Sequence, residues 1–352
     1  MKKKLIAVLL SSAMIVMATA CGHTASGSTE TASSSAPAAA AASASAAAGS
    51  DTTAGAASSG AKTYHIGIIQ QLEHPALDKA TEGFEAALND KFKGTGSSVE
   101  FDLENAQGEQ SNCTMIANNF VSAKDDLIMA NATSALIAAA QATGDIPIVG
   151  TSITDYVTAG VIDSNDKPGR NVTGASDLAP VDQQIALLQK VVPDAKQVAI
   201  LYCSAEPNSL FQAQLAEKYL DQAGIKWKEY TAVTKAIADC NCVYIPTDNT
   251  MANNMEIVKN VTVPAKIPVI CGEENMCKTG GLATLSISYY DMGYAAGEMA
   301  YDILVNGKNP GDMPIQYVSD NITPEYNPDI AKAIGWDMSV LSDLTALDTS
   351  SK

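Results

Sequence analysis

The sequence lacks any long run of basic residues. Its 352 residues include 22 Lys and Arg against 39 Asp and Glu, which gives a formal net charge of −17 at pH 7. A protein that follows a nucleic-acid backbone needs clustered positive charge to neutralise the phosphates. We therefore predict that this protein has no nucleic-acid partner.

The sequence also lacks the motifs that usually carry catalysis or a metal ion. It contains no nucleophile elbow and no glycine-rich phosphate loop. Cys240 and Cys242 do not form a Cys-x-x-Cys zinc pair, and the histidines lie far from them in sequence. His74, Glu73 and Asp155 are the groups available for acid–base chemistry. Carboxylates such as Glu73 are more often solvated loop residues, so we predict that the protein is not an enzyme and holds no metal or cofactor.

The first residues carry the pattern of an export signal. Lysines at positions 2–4 precede an apolar run at 5–17 that is too short to span a bilayer comfortably. Small residues at 18–20 stand directly before Cys21, as in the lipobox of bacterial lipoproteins. We expect residues 1–20 to be a lipoprotein signal peptide and Cys21 to carry the lipid; the alternative is ordinary cleavage at the same bond. No later segment is apolar for long enough to cross a membrane.

Residues 21–62 are mostly Ala, Ser, Gly and Thr and contain almost no large side chain. Such a composition cannot bury enough apolar surface to offset the entropy lost on ordering. We predict that this segment is a disordered tether, which would hold a globular body away from the surface of the membrane.

Cysteines are few, and their pairing stays open. Apart from Cys21 they are Cys113, Cys203, Cys240, Cys242, Cys271 and Cys277. An even number outside the cytosol permits disulfides. Several of them lie in or at the ends of apolar runs, where a cysteine is often only a small buried hydrophobe.

Strands and helices alternate strictly between residues 64 and 150. Short apolar runs predict strands at 64–69, 99–103, 126–130 and 146–150. Apolar residues at helical spacing predict a helix opened by Pro75 and further helices at about 114–123 and 135–142. This alternation is typical of a parallel sheet with helices on its faces.

The pattern begins again near residue 197. Strands are predicted at 197–202, 227–233, 242–245 and 266–270, with a helix at 208–223 after the first of them. Two similar α/β units in tandem predict two lobes rather than one large sheet. The crossover at 234–241 is shorter than the dozen or more residues that a parallel connection normally takes. Either its helix is about two turns long or the local topology differs.

Small polar residues follow the strands of both predicted sheets, where parallel α/β sheets bind their ligands. The candidate ligand-binding residues of the first lobe are Gln71, Glu73, Thr133, Ser134, Thr151, Ser152 and Asp155. Those of the second lobe and its return are Tyr202, Asn208, Asp248, Asn249, Glu274 and Tyr289. Two such rims facing each other would line a cleft for a small molecule. The alternative is that these residues only shape turns and cap helices, above all Ser134 and Asn208.

Seven segments of the body together resemble a known family. They are IGIIQQLEHPALDKATEGFEAAL, NAQGEQSN, IPIVGTSITD, NVTGASD, YIPTDNT, IPVICGEENM and ATLSISYYDMGYAAGEMA. The family they resemble is that of the substrate-binding lipoproteins of ABC importers, which have the type I periplasmic-binding-protein fold. The resemblance runs from about Tyr64 to Trp336, which is nearly the whole body.

The resemblance implies an α/β protein with two tandem Rossmann-like lobes, whose parallel sheets are joined by a three-strand hinge. The expected lobes are 63–173 with 289–313 and 174–288 with 314–340, followed by a tail at 341–352. The expected crossings lie near 171–177, after 286–289 and at 314–318. The helix at 290–305 would then return to the first lobe.

The resemblance also implies a function. The protein would capture a small solute by hinge closure and deliver it to a membrane permease; the solute is expected to be an amino acid, with aromatic ones such as tryptophan implied by the close subfamily. By position, Thr133, Ser134, Thr151 and Ser152 would hold the α-carboxylate. Asp248 would hold the ammonium group. We expect a monomer, and the alternative function is a lipid-anchored surface receptor or adhesin without catalytic activity.

Overall fold

A computed structural model of the protein describes residues 61–318 and 322–350. The predicted signal peptide, Cys21 and the tether up to residue 60 lie outside the described residues. Among the helices that the model does describe, none is both long enough and apolar enough to cross a membrane.

The described residues form strands and helices in alternation. The strands are β1 Thr63–Gln70, β2 Ser98–Asn105, β3 Leu127–Asn131, β4 Ile148–Ile153, β5 Val172–Ser176, β6 Gln197–Leu201, β7 Lys226–Tyr230, β8 Cys242–Ile245, β9 Val269–Cys271, β10 Ala283–Leu285, β11 Gln316–Tyr317, β12 Pro324–Tyr326 and β13 Thr345–Ala346. The helices are α1 Pro75–Phe92, α2 Gln110–Ala123, α3 Thr133–Ala142, α4 Val181–Val191, α5 Pro207–Gln222, α6 Val233–Asp239, α7 Asn249–Asn253, α8 Met255–Ala265, α9 Glu274–Gly280, α10 Tyr289–Leu304 and α11 Pro328–Ile334.

The first lobe is built on a parallel sheet with the strand order β11-β5-β4-β3-β1-β2. Its central strands are buried on both faces, which explains why they are continuous apolar runs rather than alternating ones. Ile66 and Ile68 of β1 pack in the core beneath α1 and α10, whereas Ile69 packs in the core on the opposite face. Helices α1 and α10 approach so closely that a Cβ on Gly83 would lie 2.1 Å from the Tyr290 carbonyl oxygen.

The second lobe repeats this plan in a sheet of order β13-β12-β10-β9-β8-β6-β7. Here β6 pairs in parallel with both β7 and β8, as β1 does with β2 and β3. The short crossover contains α6, which has 7 residues and so makes about two turns. The order β7-β6-β8-β9-β10 therefore repeats the order β2-β1-β3-β4-β5, and the shortage of residues is met by a shorter helix. The sheets differ at the other edge, where β12 pairs antiparallel with β10 and is followed by β13.

The chain crosses between the lobes three times, at 177–180 from β5 to α4, at 286–288 from β10 to α10, and between β11 and β12. The lobe boundary expected at 173/174 falls inside β5, and the one expected at 313/314 falls before β11. Both strands pair in the sheet of the first lobe, so this lobe continues to the end of each strand. Residues 341–352, expected to be a tail, contain β13, which pairs with β12. Leu341, Leu344 and Leu347 are buried in the second lobe.

All six cysteines of the described body are free thiols. Cys203 is partly exposed, and the other five are buried. Desolvation raises the pKa of the thiols of Cys113, Cys242, Cys271 and Cys277, to about 11 for Cys113, so these side chains behave as small hydrophobic residues of the core.

Candidate functional site

The carboxyl ends of the two sheets face each other, and side chains from the two lobes meet there. His74 follows β1 in the first lobe, and its Nε2 lies 3.1 Å from Oδ1 of Asn249 in the second. Gln212 of α5 donates from Nε2 to Oγ1 of Thr154, which follows β4, over 3.2 Å. The two polar rims therefore form one closed cleft in this structure.

The rim of the first lobe carries buried hydroxyl groups that lack a hydrogen-bond partner among the described residues. They are Oγ1 of Thr133, Oγ1 of Thr151 and Oγ of Ser152. A buried hydroxyl without a partner costs about 1–3 kcal/mol. These three hydroxyls are therefore free to bond to a group from outside the described chain.

The backbone of the same rim is strained. Ala132 has φ 82° and Ser152 has φ 59°, both in the left-handed region that side chains other than glycine avoid. Strain of this kind is concentrated at ligand clamps, where the surrounding structure enforces it. Ala132 immediately precedes α3, and Ser134 at the start of that helix donates its backbone N–H to Oε1 of Gln71 over 2.9 Å. The strained turns and the Gln71 bond together fix the N-terminus of α3 at the cleft.

The rim of the second lobe is organised around two buried carboxylates. Asp248 caps α7 by accepting the backbone N–H of Met251 over 2.7 Å, and it also accepts the N–H of Cys203 over 2.6 Å. Glu206 accepts from the backbone N–H and side chain of Thr250 and from Nδ2 of Asn249, at 2.6–2.8 Å. Burial, with Glu206 as a second cause, raises the pKa of Asp248 to about 7. The segment after β8 is thus both a helix cap and part of the cleft.

A third buried carboxylate lies where the chain crosses between the lobes. Asp177 begins the first crossing and accepts the hydroxyl of Thr154 over 2.9 Å and that of Tyr289 over 3.2 Å. Gln212 adds the second lobe to this cluster by donating to Thr154 and to the carbonyl oxygen of Thr247. Burial raises the pKa of Asp177 to about 6, although the two hydroxyl donors lower it.

Several of the residues predicted from sequence come together in the cleft. Thr133 and Asp155 of the first lobe line one narrow cavity with Asn208 and Phe211 of the second. Asn249 touches His74, and Tyr289 touches Asp177. Neither Ser134 nor Asn208 caps a helix, because Ala132 and Glu206 occupy the capping positions of α3 and α5.

Other predicted residues lie outside this contact zone. Tyr202 packs in the core of the second lobe and donates its hydroxyl to Glu229 over 2.7 Å. The side chain of Glu73 is exposed. Glu274 pairs with Lys278 at 2.5 Å, and it lines, with Tyr289, an open groove of about 390 Å³ beside the second crossing.

The candidate ligand-binding residues predicted from sequence did not include His74, Thr154, Glu206 and Thr247, although all four follow strands. In the structure His74 and Thr154 contact the other lobe, whereas Glu206 and Thr247 are bonded within the second lobe. Gln212 carries a usable signal, because it lies on the buried stripe of α5 with Ala216 and Leu220. A glutamine on such a stripe needs buried hydrogen-bond partners. No local pattern marks Asp177.

The chain is similar to known proteins over almost all of its body. A family model described as ABC transporter substrate binding protein matches residues 65–338. The Tyrosine-binding protein of Clostridioides difficile (strain R20291) is 39% identical over 290 residues, which cover 80% of this chain and 83% of the relative.

The fold also matches solved structures, among them the two that follow. One is an ABC domain in complex with L-Trp from Streptococcus pneumoniae, with TM-score 0.76 and 30% identity over 81% of this chain and 100% of the other. The second is the ligand-free, open structure of a substrate binding protein with adhesive properties from Clostridium difficile, with TM-score 0.65 and 37% identity over 81% of this chain and 99% of the other. Our structure is thus more similar to the complex than to the open form, although sequence identity runs the other way. The predicted fold of two α/β lobes, of the type I periplasmic-binding-protein class, is confirmed.

The raised pKa of Asp177 predicts how stability depends on pH. Its pKa is 3.8 in the absence of perturbation and about 6 in the fold, so the folded state binds this proton more tightly than the unfolded chain does. The contribution of this group to stability is therefore largest below pH 4 and is lost as pH rises through 6. Asp177→Asn keeps the size of the side chain and removes the titration. From pH 4 to pH 8, the wild type should lose about 2–3 kcal/mol of unfolding free energy that Asp177→Asn does not lose. The stability of the variant relative to the wild type should therefore rise by this amount.

Urea unfolding at both pH values measures this difference, and Asp182→Asn, at an exposed position of α4, is the matched control for loss of a carboxylate. If the unfolding free energies of the wild type and Asp177→Asn change with pH in parallel, burial does not disfavour the charged form of Asp177.

Proposed function

The chain belongs to the ABC transporter substrate-binding protein family, and from that premise we propose that its ligand is an aromatic amino acid, tyrosine or tryptophan, enclosed between the two lobes. Members of this family are extracytoplasmic, non-catalytic binding components, which pass a small molecule to a membrane permease. The ligand class is supported by two relatives, one named for binding tyrosine and the other solved with L-Trp.

The observation that carries the proposal is the set of unpartnered hydroxyls in the closed cleft. Thr133, Thr151 and Ser152 can donate to a carboxylate that enters from the ligand. Thr133 also begins α3, a helix of 10 residues whose first N–H groups and dipole favour an anion. We assign the α-carboxylate to this side of the cleft.

The charge of the opposite rim suits the α-ammonium group. Asp177, Glu206, Asp248 and Glu273 are all buried, whereas no Lys or Arg of the described residues is buried. A buried carboxylate is stabilised when a cation pairs with it. We propose Asp248 as the ammonium anchor, because its two bonds to backbone N–H groups leave lone pairs free on both oxygens.

The surface-receptor alternative has support from one relative, which is described as a substrate binding protein with adhesive properties. A large contiguous apolar surface would mark a site for a macromolecule. The exposed large apolar side chains of the described residues come from separate elements or loops; they are Leu103, Met115, Val157, Leu210, Ile257, Val305, Tyr317 and Met338.

Titration calorimetry with the standard amino acids tests the ligand class. We expect saturable binding of tyrosine or tryptophan at one site per chain, and no binding of charged amino acids. Thr133→Val, which keeps the shape and removes the hydroxyl, should weaken this binding by about tenfold or more. Thr114→Val on the exposed face of α2 is the control and should leave affinity unchanged. Failure of every aromatic amino acid to bind would reject the proposed ligand class.

We also propose that Cys21 carries a lipid, on the basis of the small residues before it and the tether composition after it. Acyl chains at this position would anchor the protein to the cell membrane. Cys21→Ala should abolish incorporation of labelled fatty acid and move the protein from the detergent phase to the aqueous phase, whereas Cys203→Ala should change neither. Unaltered partitioning of Cys21→Ala would point to ordinary signal cleavage instead.

A further inference from the structure

His74 combines burial, a cross-lobe contact and an unused hydrogen-bonding atom. It precedes α1 at the carboxyl end of β1, and its side chain is buried at 7% exposure. Its Nε2 contacts Asn249 of the other lobe, whereas its Nδ1 is buried without a partner among the described residues. A buried ring nitrogen without a partner is unfavourable, so this atom calls for a specific explanation.

The contact with Asn249 determines which ring nitrogen carries the proton. Asn249 donates from Nδ2 to Oε2 of Glu206 over 2.8 Å, so its Oδ1 is turned toward His74. An amide oxygen can only accept, and Nε2 of His74 must therefore donate. Burial lowers the pKa of His74, which keeps the ring neutral. With the single proton on Nε2, Nδ1 is an acceptor and cannot donate.

This makes His74 different from the three unpartnered hydroxyls of the first rim. The hydroxyls of Thr133, Thr151 and Ser152 can rotate to donate, and so they suit a carboxylate. Nδ1 of His74 can be satisfied only by a donor. Tyrosine has a phenol O–H and tryptophan an indole N–H, whereas the side chain of phenylalanine has no donor.

We propose that Nδ1 of His74 accepts a hydrogen bond from the side-chain donor of the bound amino acid, and that His74 thereby selects tyrosine and tryptophan over phenylalanine. This inference rests on the proposed function. Because Asn249 belongs to the second lobe, the acceptor is set in the required tautomer only when the cleft closes. Selection is therefore tied to closure, and a ligand without the donor leaves a buried acceptor unpaired.

Two substitutions separate this role from a contact that merely holds the lobes together. In His74→Gln the side-chain amide occupies the place of Nε2, which keeps the contact with Asn249 and removes Nδ1. In His74→Asn the shorter amide occupies the place of Nδ1, which keeps an acceptor there and removes the contact. We expect the wild type to bind tyrosine at least about tenfold more tightly than phenylalanine. His74→Gln should reduce this ratio to within about threefold, and His74→Asn should retain it while weakening both ligands.

The same calorimetry distinguishes the possible failures. A uniform loss for tyrosine, tryptophan and phenylalanine in His74→Gln would overturn the inference and assign His74 to the α-amino group or to closure alone. Equal affinity of the wild type for tyrosine and 4-fluorophenylalanine, which lacks the donor at nearly the same size, would also overturn it without relying on the folding of any variant. If the wild type binds no aromatic amino acid, the proposed function itself fails and the inference fails with it.

Discussion

Polar side chains buried between two lobes are costly unless each finds a hydrogen-bond partner, and the site depends on this constraint. Part of the demand is met within the protein, since Gln212 and Asn249 reach across the cleft to Thr154 and His74. Another part is not met within the part of the chain that the structure describes, since hydroxyls of the first rim and Nδ1 of His74 have no partner there. Under the proposed function, the protein provides some of the bonds of the closed form and the ligand supplies the others. Closure without ligand is penalised, and closure with ligand is favoured, which is the differential stabilisation that shifts a population.

A buried carboxylate, Asp177, lies in the first of the three segments that connect the lobes. Asp177 of the first crossing accepts a hydrogen bond from Tyr289, which directly follows the second crossing, and Thr154 connects Asp177 to the rim. A carboxylate that is buried in the closed form is disfavoured in its charged state, and its hydroxyl partners only partly compensate. The stability of the closed hinge, like that of the closed cleft, therefore depends on how well hydrogen bonds offset the cost of burying polar groups. The buried carboxylates favour a ligand that brings positive charge, whereas the hydroxyls of the first rim suit its carboxylate.

Much of the fold was predictable because apolar periodicity reports burial directly. The strands of both lobes and α1, α2, α3 and α5 appear close to where the pattern predicts them. The boundaries of the lobes were less predictable, because β11 is a strand of two residues whose pairing with β5 depends on distant chain. The crossover at 234–241 could not be assigned from its length alone, and the structure shows a two-turn helix there.

The two polar rims were predictable in position, and the contacts of their residues were less so. Polar residues were expected beyond the carboxyl ends of the parallel strands, and the structure brings those ends together. That expectation could not separate Tyr202, whose hydroxyl turns to Glu229, from Glu206, which organises the second rim. Side-chain direction at the end of a strand depends on the following turn, and Asp177 and Gln212 act through partners far away in sequence.

The most direct test of the account is the distance between the lobes in solution. Val157 of the first lobe and Leu210 of the second are both exposed, and each is near residues that line the narrow cavity between the lobes. Spin labels on cysteines at these two positions, in a Cys203→Ser background, report the opening of the cleft by pulsed electron resonance. We expect a longer and broader distance distribution without ligand, and a shorter and narrower one on addition of tyrosine or tryptophan. Identical distributions at saturating ligand would contradict the claim that filling the cleft closes it.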